Sequence, residues 1–229
     1  MIRPGEVPAA ILLDALGTLV ALHPPAPRLA AELRTRLGVK ITVVQAGQAI
    51  GAEIAYYREH LDEGRDAATL ADLRQRCTEV LRRALPPCDE IAEADRELLQ
   101  QALLASLRFS AFEDARPALE LARHRGQRLV VVSNWDVSLH DVLQRIRLAP
   151  LLDGVVSSAE AGARKPAPEI FERALALVGV SAAQAIHVGD SLDEDLAGAR
   201  ATGIEPVLIA RDGGPRPPGV RVIESLVEL

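Results

Sequence analysis

Asp14 ends an apolar run, Ile11-Leu12-Leu13, and is followed by Ala15-Leu16-Gly17-Thr18-Leu19. A carboxylate at the end of a buried strand is costly unless something pairs with it, so Asp14 is a candidate site residue. Two positions on, where a general acid/base would be useful, stands Leu16, which cannot move a proton. Three further polar clusters follow apolar runs. Ser133-Asn134-Trp135-Asp136 follows Val130-Val131-Val132. Arg164-Lys165-Pro166 comes shortly after 154–156. Gly189-Asp190-Ser191, with Asp193 and Asp195 beyond, follows Ile186-His187-Val188. Lys40 and Lys165 are the only lysines among 26 lysines and arginines. A position that keeps an ammonium against such a bias points to chemistry that a guanidinium would not serve.

The elements that must position these clusters are short. Residues 11–13, 128–132, 154–156, 185–188 and 206–209 read as buried parallel strands, the later ones separated by helix-like stretches. That alternation predicts βαβ units in an α/β fold with a doubly wound parallel sheet. The carboxyl ends of such strands line one edge, where ligands bind, so four clusters from distant parts of the chain converge there. One interval breaks the rhythm. From Val20 to about Ser110 the pattern is helical, over 27–37, 43–60, 67–84 and 90–107, with only a weak strand-like run at 39–44. Leu29, Leu33 and Leu37 recur at an amphipathic spacing, and Pro86-Pro87 separates the third helix from the fourth. A discontinuous core, residues 1–20 and 109–229, is therefore expected to be interrupted by an all-helical insert over 21–108. Residues 213–218 read as a surface loop before a short segment, Val220 to Leu229.

Bulk composition narrows the function. The chain has 229 residues, 48% of them hydrophobic, which suffices for a sizeable core. Its net charge of −6 argues against a nucleic-acid partner, which calls for a basic surplus. Cys77 and Cys88 have no metal-ligand spacing and read as reduced thiols of a cytoplasmic protein. The apolar stretch from Ala9 to Leu22, behind Arg3 and Pro4, is interrupted by Asp14 and too short to span a bilayer, so no membrane association is expected.

The four clusters resemble, in order, the motifs of the haloacid dehalogenase-like (HAD) hydrolase superfamily. They are Asp14-x-x-Gly17-Thr18-Leu19, Ser133-Asn134, Lys165-Pro166-x-Pro168-Glu169-Ile170-Phe171, and Gly189-Asp190-Ser191-x-x-x-Asp195-x-x-Gly198-Ala199. The insert after the first motif is similar to the C1 helical cap of subfamily I. The resemblance implies a Rossmann-like core and an aspartyl-phosphate mechanism with Asp14 as nucleophile, Thr18 helping to position it. It implies that Ser133 and Asn134 hold phosphoryl oxygens and that Lys165 neutralises the nucleophile and the phosphoryl group. It also implies Mg²⁺ held by Asp14, Asp190 and the backbone carbonyl of Leu16, with Asp195 supporting the metal or its water shell. These roles suit phosphoryl transfer, which depends on positioning and charge neutralisation, and Mg²⁺, which takes a few carboxylates plus water and substrate oxygens. A small phosphorylated metabolite is the substrate class implied.

Leu16 departs from the phosphatase pattern. The resemblance places there an Asp that protonates the leaving oxygen and then activates water, help worth about 10²–10⁴-fold. Its loss predicts weak or atypical turnover, least harmful for acyl and aryl phosphates. Three other readings accommodate Leu16. Metal-independent 2-haloacid dehalogenases carry Tyr there, but Asp190 beside Asp14 without a cation would raise one carboxyl's pKa and weaken the nucleophile. Phosphonatases use a lysine of the cap, and Lys40 is the sole lysine of the insert. A pseudoenzyme that binds a phosphorylated ligand has no need of the nucleophile. Among single residues, Asp136 reads as a helix N-cap, Trp135 as packing or a pocket wall, Asp193 as solvent-facing, His187 as a core histidine and His23 as a hinge residue or substitute acid/base.

Overall fold

A computed structural model of the chain describes residues 7–211, 213–214 and 216–229. Arg3, Pro4 and Pro215, on which parts of the reading above fall, lie outside the described residues. The chain divides into two compact units, Met1–Ala21 with Ser110–Leu229, and Leu22–Phe109.

The first unit opens with β1 (Ala10–Leu13) and β2 (Val20–Leu22), whose last residue lies in the second unit. The second unit contains α1 (Pro25–Leu37), α2 (Val43–His60), α3 (Ala67–Ala84), α4 (Asp89–Ala92) and α5 (Arg96–Ser106). The chain returns through β3 (Phe109–Ala111), which forms a two-stranded sheet with β2. It continues with α6 (Ala115–His124), β4 (Arg128–Ser133), α7 (Leu139–Arg145), β5 (Gly154–Ser157), α8 (Ser158–Ala161) and α9 (Pro168–Val178). Then come β6 (Ala185–Gly189), a π-helical turn over Leu192–Leu196, α10 (Ala197–Thr202), β7 (Glu205–Ile209) and β8 (Arg221–Ile223).

The six-stranded sheet runs β5-β4-β1-β6-β7-β8 and is parallel throughout. From β1 the chain winds outward through β4 and β5, then returns to the other side of β1 for β6, β7 and β8. β1 therefore lies at the point where the winding reverses, where open α/β sheets leave a crevice at the strands' carboxyl ends. Leu13 is level with Val131 and Val188, so Asp14 emerges between the ends of β4 and β6. Alternation along the strands turns Ala10, Leu12, Val130, Val132 and Val156 to one face. There they pack with Ile170, Phe171 and Ala174 of α9 and Ala199 of α10. Burial on both faces explains why these strands read as continuous apolar runs.

The helical unit has its own core, in which Leu29 and Leu33 of α1 meet Ala46 and Ile50 of α2, Leu73, Cys77 and Leu81 of α3, and Leu99 and Leu103 of α5. The strand-like run at 39–44 forms no strand, because Thr42 and Gln45 make a reciprocal capping box that starts α2 at Val43. The helix expected over 90–107 is two helices, because the Asp95 carboxylate accepts the Glu97 and Leu98 amides and starts a new helix. No described helix is long and apolar enough to cross a membrane.

Candidate active site

The turn after β1 sets the geometry. The Ala15 carbonyl accepts the amides of Thr18, Leu19 and Val20, and Gly17 donates to the Val20 carbonyl at 2.9 Å. Gly17 has a φ of +84°, and a Cβ there would lie 2.1 Å from Asp190 Oδ2, so only glycine lets the end of β6 close on this turn. Gly189 serves the same purpose one layer deeper, since its Cβ would lie 2.1 Å from Asp195 Cγ.

Asp14 is 5% exposed and Lys165 2% exposed. Lys165 Nζ donates to Asp14 Oδ1 at 2.6 Å and to Asp195 Oδ1 at 2.6 Å. Ser133 Oγ donates to Asp14 Oδ1 at 2.9 Å. Asp195 Oδ1 also meets His187 Nε2 at 2.8 Å, and its Oδ2 accepts the Ser191 amide at 3.0 Å. Asp14, Asp190 and Asp195 each offer a carboxylate oxygen, all within 4.8 Å of one another.

The charges are unbalanced, with three carboxylates facing one ammonium. Burial pushes the Asp14 carboxyl up, against the pull of Lys165. Burial would lower Lys165, but Asp14 and Asp195 outweigh it and hold the ammonium above the ordinary lysine value. Burial also works against ionised Asp195, yet Lys165 and His187 hold its carboxyl well below the usual carboxylate range. Asp190 is pushed up to about 6 by burial, with the charges of Asp14 and Asp195 added. A set of hard oxygen donors with surplus negative charge suits a divalent cation such as Mg²⁺.

Asp14, Ser133, Lys165, Asp190 and Asp195 are thus brought together, and the Leu16 side chain stands half-buried in the turn beside them. Thr18 and Asn134 are engaged differently from the other motif residues. The Thr18 hydroxyl is buried with no hydrogen-bond partner among the described residues, so it does not hold Asp14; the reversal at Gly17 commits the Thr18 amide to Ala15. The Asn134 side chain is occupied by the Lys165 backbone, accepting its N–H at 2.7 Å and donating to its C=O at 3.1 Å. Asn134 therefore holds the lysine's backbone in place, and the second N–H of its amide is the donor it has left for a phosphoryl oxygen. Asp195 shares Lys165 with Asp14. His187 is a core histidine, but its partner is Asp195, a pairing that their separation along the chain does not reveal. Asp193 is exposed, and Asp136 binds the Ser138 amide at 2.7 Å before α7 without being its N-cap.

The model of the haloacid dehalogenase-like hydrolase family matches residues 8–203. The chain belongs to the haloacid dehalogenase-like hydrolases. It is 41% identical over 118 residues to haloacid dehalogenase-like hydrolase domain-containing protein 3 of Bos taurus, covering 52% of this chain and 46% of that one. It is 33% identical over 153 residues to a phosphoserine phosphatase of Thermus thermophilus, covering 66% of this chain and 60% of that one. The chain thus spans about half to three-fifths of the length of these curated relatives. Among solved structures, a dehalogenase is 26% identical with a TM-score of 0.65, over 96% of this chain and 94% of that one. The α/β fold with its parallel sheet is that of the HAD-like hydrolases.

Proposed function

We propose that this HAD-like hydrolase is a Mg²⁺-dependent phosphatase that cleaves a small phosphorylated metabolite through a covalent aspartyl-phosphate on Asp14. The observation that carries this reading is the meeting of Asp14 with Lys165, Ser133 and the two further carboxylates at one strand-end crevice. Phosphatase names among the relatives support it. Asp14, Asp190 and the Leu16 backbone carbonyl would hold Mg²⁺, Asp195 supporting its water shell, and the ion supplies charge neutralisation during phosphoryl transfer.

The remaining steps belong to the side chains. Lys165 and Ser133 engage Oδ1 of Asp14 and, among the described residues, leave Oδ2 without a donor, free to attack phosphorus. The bond from phosphorus to the leaving oxygen breaks as the bond to Oδ2 forms, and the electron pair departs with the leaving group. Lys165 offsets negative charge on Asp14 before attack and on the phosphoryl group after it. Asn134 and Asp195 keep the ammonium aimed. Water then attacks the phosphoryl group, releases phosphate and restores the carboxylate. Leu16 supplies no proton in the first step and no base in the second, so an acidic leaving group, as in an acyl or aryl phosphate, is turned over best. In this reading the helical unit acts as the cap that selects the substrate.

Metal-independent displacement of halide is the second reading, favoured by Leu16 and by the similarity to a solved dehalogenase. Surplus carboxylate charge around Asp14 weighs against it. The test is hydrolysis of acetyl phosphate and p-nitrophenyl phosphate with and without Mg²⁺, beside 2-chloropropionate in EDTA. Mg²⁺-dependent phosphate release supports the proposal, whereas chloride release in EDTA replaces it with dehalogenation. A protein that releases neither product and forms no covalent adduct on Asp14 is a phospho-ligand binder.

A further inference from the structure

We propose that Arg211, locked by Asp114, is a positioning residue that clamps the nucleophile turn. The inference rests on the reading of Asp14 as nucleophile. Arg211 follows β7 and belongs to none of the four motifs, yet its guanidinium reaches the turn after β1. Its NH2 donates to the Thr18 carbonyl at 2.7 Å and its Nε to the Gly17 carbonyl at 3.3 Å. The turn's internal bonds use the Ala15 and Val20 carbonyls and the Phe112 amide takes the Leu19 carbonyl, while Arg211 serves those of Gly17 and Thr18. A buried carbonyl needs a donor, and a charged donor binds it more strongly than a neutral one.

The guanidinium is itself fixed on two sides. Asp114 takes it in a bidentate grip, Oδ1 to NH2 at 3.0 Å and Oδ2 to NH1 at 3.0 Å. The Phe112 ring lies beneath it, 3.8 Å from Cζ to the ring centroid. Asp114 is held in turn by Ser225 Oγ at 2.7 Å and the Leu226 amide at 2.8 Å, both on Oδ2. Arg211 and Asp114 are both part-buried, so the pair is screened less than a fully exposed one. A lysine could not reproduce this grip, because it lacks the planar fork that meets a carboxylate and two carbonyls at once.

The consequence falls on the reacting groups. Gly17 lies between Leu16, whose carbonyl is a proposed metal ligand, and Thr18. Its α-carbon is in close contact with the Asp190 carboxylate. A turn released at Gly17 and Thr18 therefore shifts the Leu16 carbonyl, the seat of Asp190 and the backbone that carries Asp14. Arg211 touches neither substrate nor metal in this scheme; it acts through the turn.

Two readouts test the clamp on the full chain, for wild type, Arg211→Gln, Arg211→Lys and Asp114→Asn. One is hydrolysis of p-nitrophenyl phosphate and acetyl phosphate in Mg²⁺. The other is amide hydrogen exchange at residues 17–20, which needs no activity. Arg211→Gln is expected to lower kcat by about 10²-fold with KM little changed. It should also speed exchange of the Gly17 amide, and Arg211→Lys should restore neither value fully. Lower thermal stability with unchanged kcat and unchanged exchange at 17–20 would mean a merely structural ion pair and would overturn the clamp. If wild type hydrolyses neither substrate, the phosphatase reading falls while the exchange result still decides the clamp. If Arg211→Gln does not fold, Arg211→Lys and Asp114→Asn carry the same two readouts.

Discussion

Lys165 Nζ and Asp195 Oδ1 are 2.6 Å apart with both side chains almost wholly buried, and the same ammonium is 2.6 Å from Asp14 Oδ1. One cation thus serves two carboxylates in a region where neither can be left unpaired. Lys165→Met removes it, leaving Asp14 with Ser133 and Asp195 with His187 and the Ser191 amide, so a loss of about 3–5 kcal/mol of stability is expected. Hydrolysis should fall below detection at the same time. Urea denaturation and phosphate release on the same preparation check both outcomes. Wild-type stability in the variant would mean that Lys165 is not the charge partner of this pair.

Leu16→Asp tests the departure from the phosphatase pattern. Turnover of alkyl phosphates, whose leaving oxygen needs a proton, should rise by about 10²–10⁴-fold, with a smaller gain for acetyl phosphate. Steady-state kcat for the two substrate classes gives the comparison. Equal gains, or none with the fold intact, would place the acid/base on another residue.

Much of this molecule is legible in its sequence, for physical reasons that also mark where legibility ends. Strands buried on both faces leave continuous apolar runs, so β1, β4, β5, β6 and β7 and the polar residues at their carboxyl ends can be read directly. Capping is harder to see. Asp95 looks like one more polar residue in a helical pattern until its carboxylate is found on the Glu97 and Leu98 amides. Side-chain direction is hardest, because a turn can aim a residue anywhere. Thr18 and Asn134 sit at motif positions, yet one hydroxyl finds no partner among the described residues and one amide binds the Lys165 backbone. Arg211 carries no sequence signal, since its partners come from two distant segments, at Gly17–Thr18 and at Phe112–Asp114.

Mg²⁺ should stabilise the folded chain through the carboxylate cluster. At a concentration about 100 times Kd the gain is about 2.7 kcal/mol, read as a rise in Tm. Asp190→Asn should abolish most of that rise while leaving the metal-free Tm near the wild-type value. Protons compete for the same site. Because burial and the neighbouring charges push Asp190 up to about 6, the Mg²⁺-induced rise should shrink as pH falls through that value. A rise that persists in Asp190→Asn would put the cation elsewhere.

Glu53 gives a pH dependence that belongs to the helical unit alone. It is 4% exposed on α2 and is pushed up to about 7 by burial, which a hydrogen bond from the Cys77 thiol only partly offsets. The folded state favours the protonated carboxyl, while the unfolded chain ionises near 4.5. Glu53 therefore contributes its full stability below about 4.5, and that contribution is lost as pH rises through about 7. A raised pKa of this size corresponds to about 3 kcal/mol. Glu53→Gln keeps a neutral side chain of the same shape at every pH. The two proteins should unfold at similar urea concentrations at pH 5, whereas at pH 8 the variant should be the more stable by about that amount. Parallel stability curves from pH 5 to pH 8 would mean that Glu53 is already ionised, and satisfied, in the folded unit.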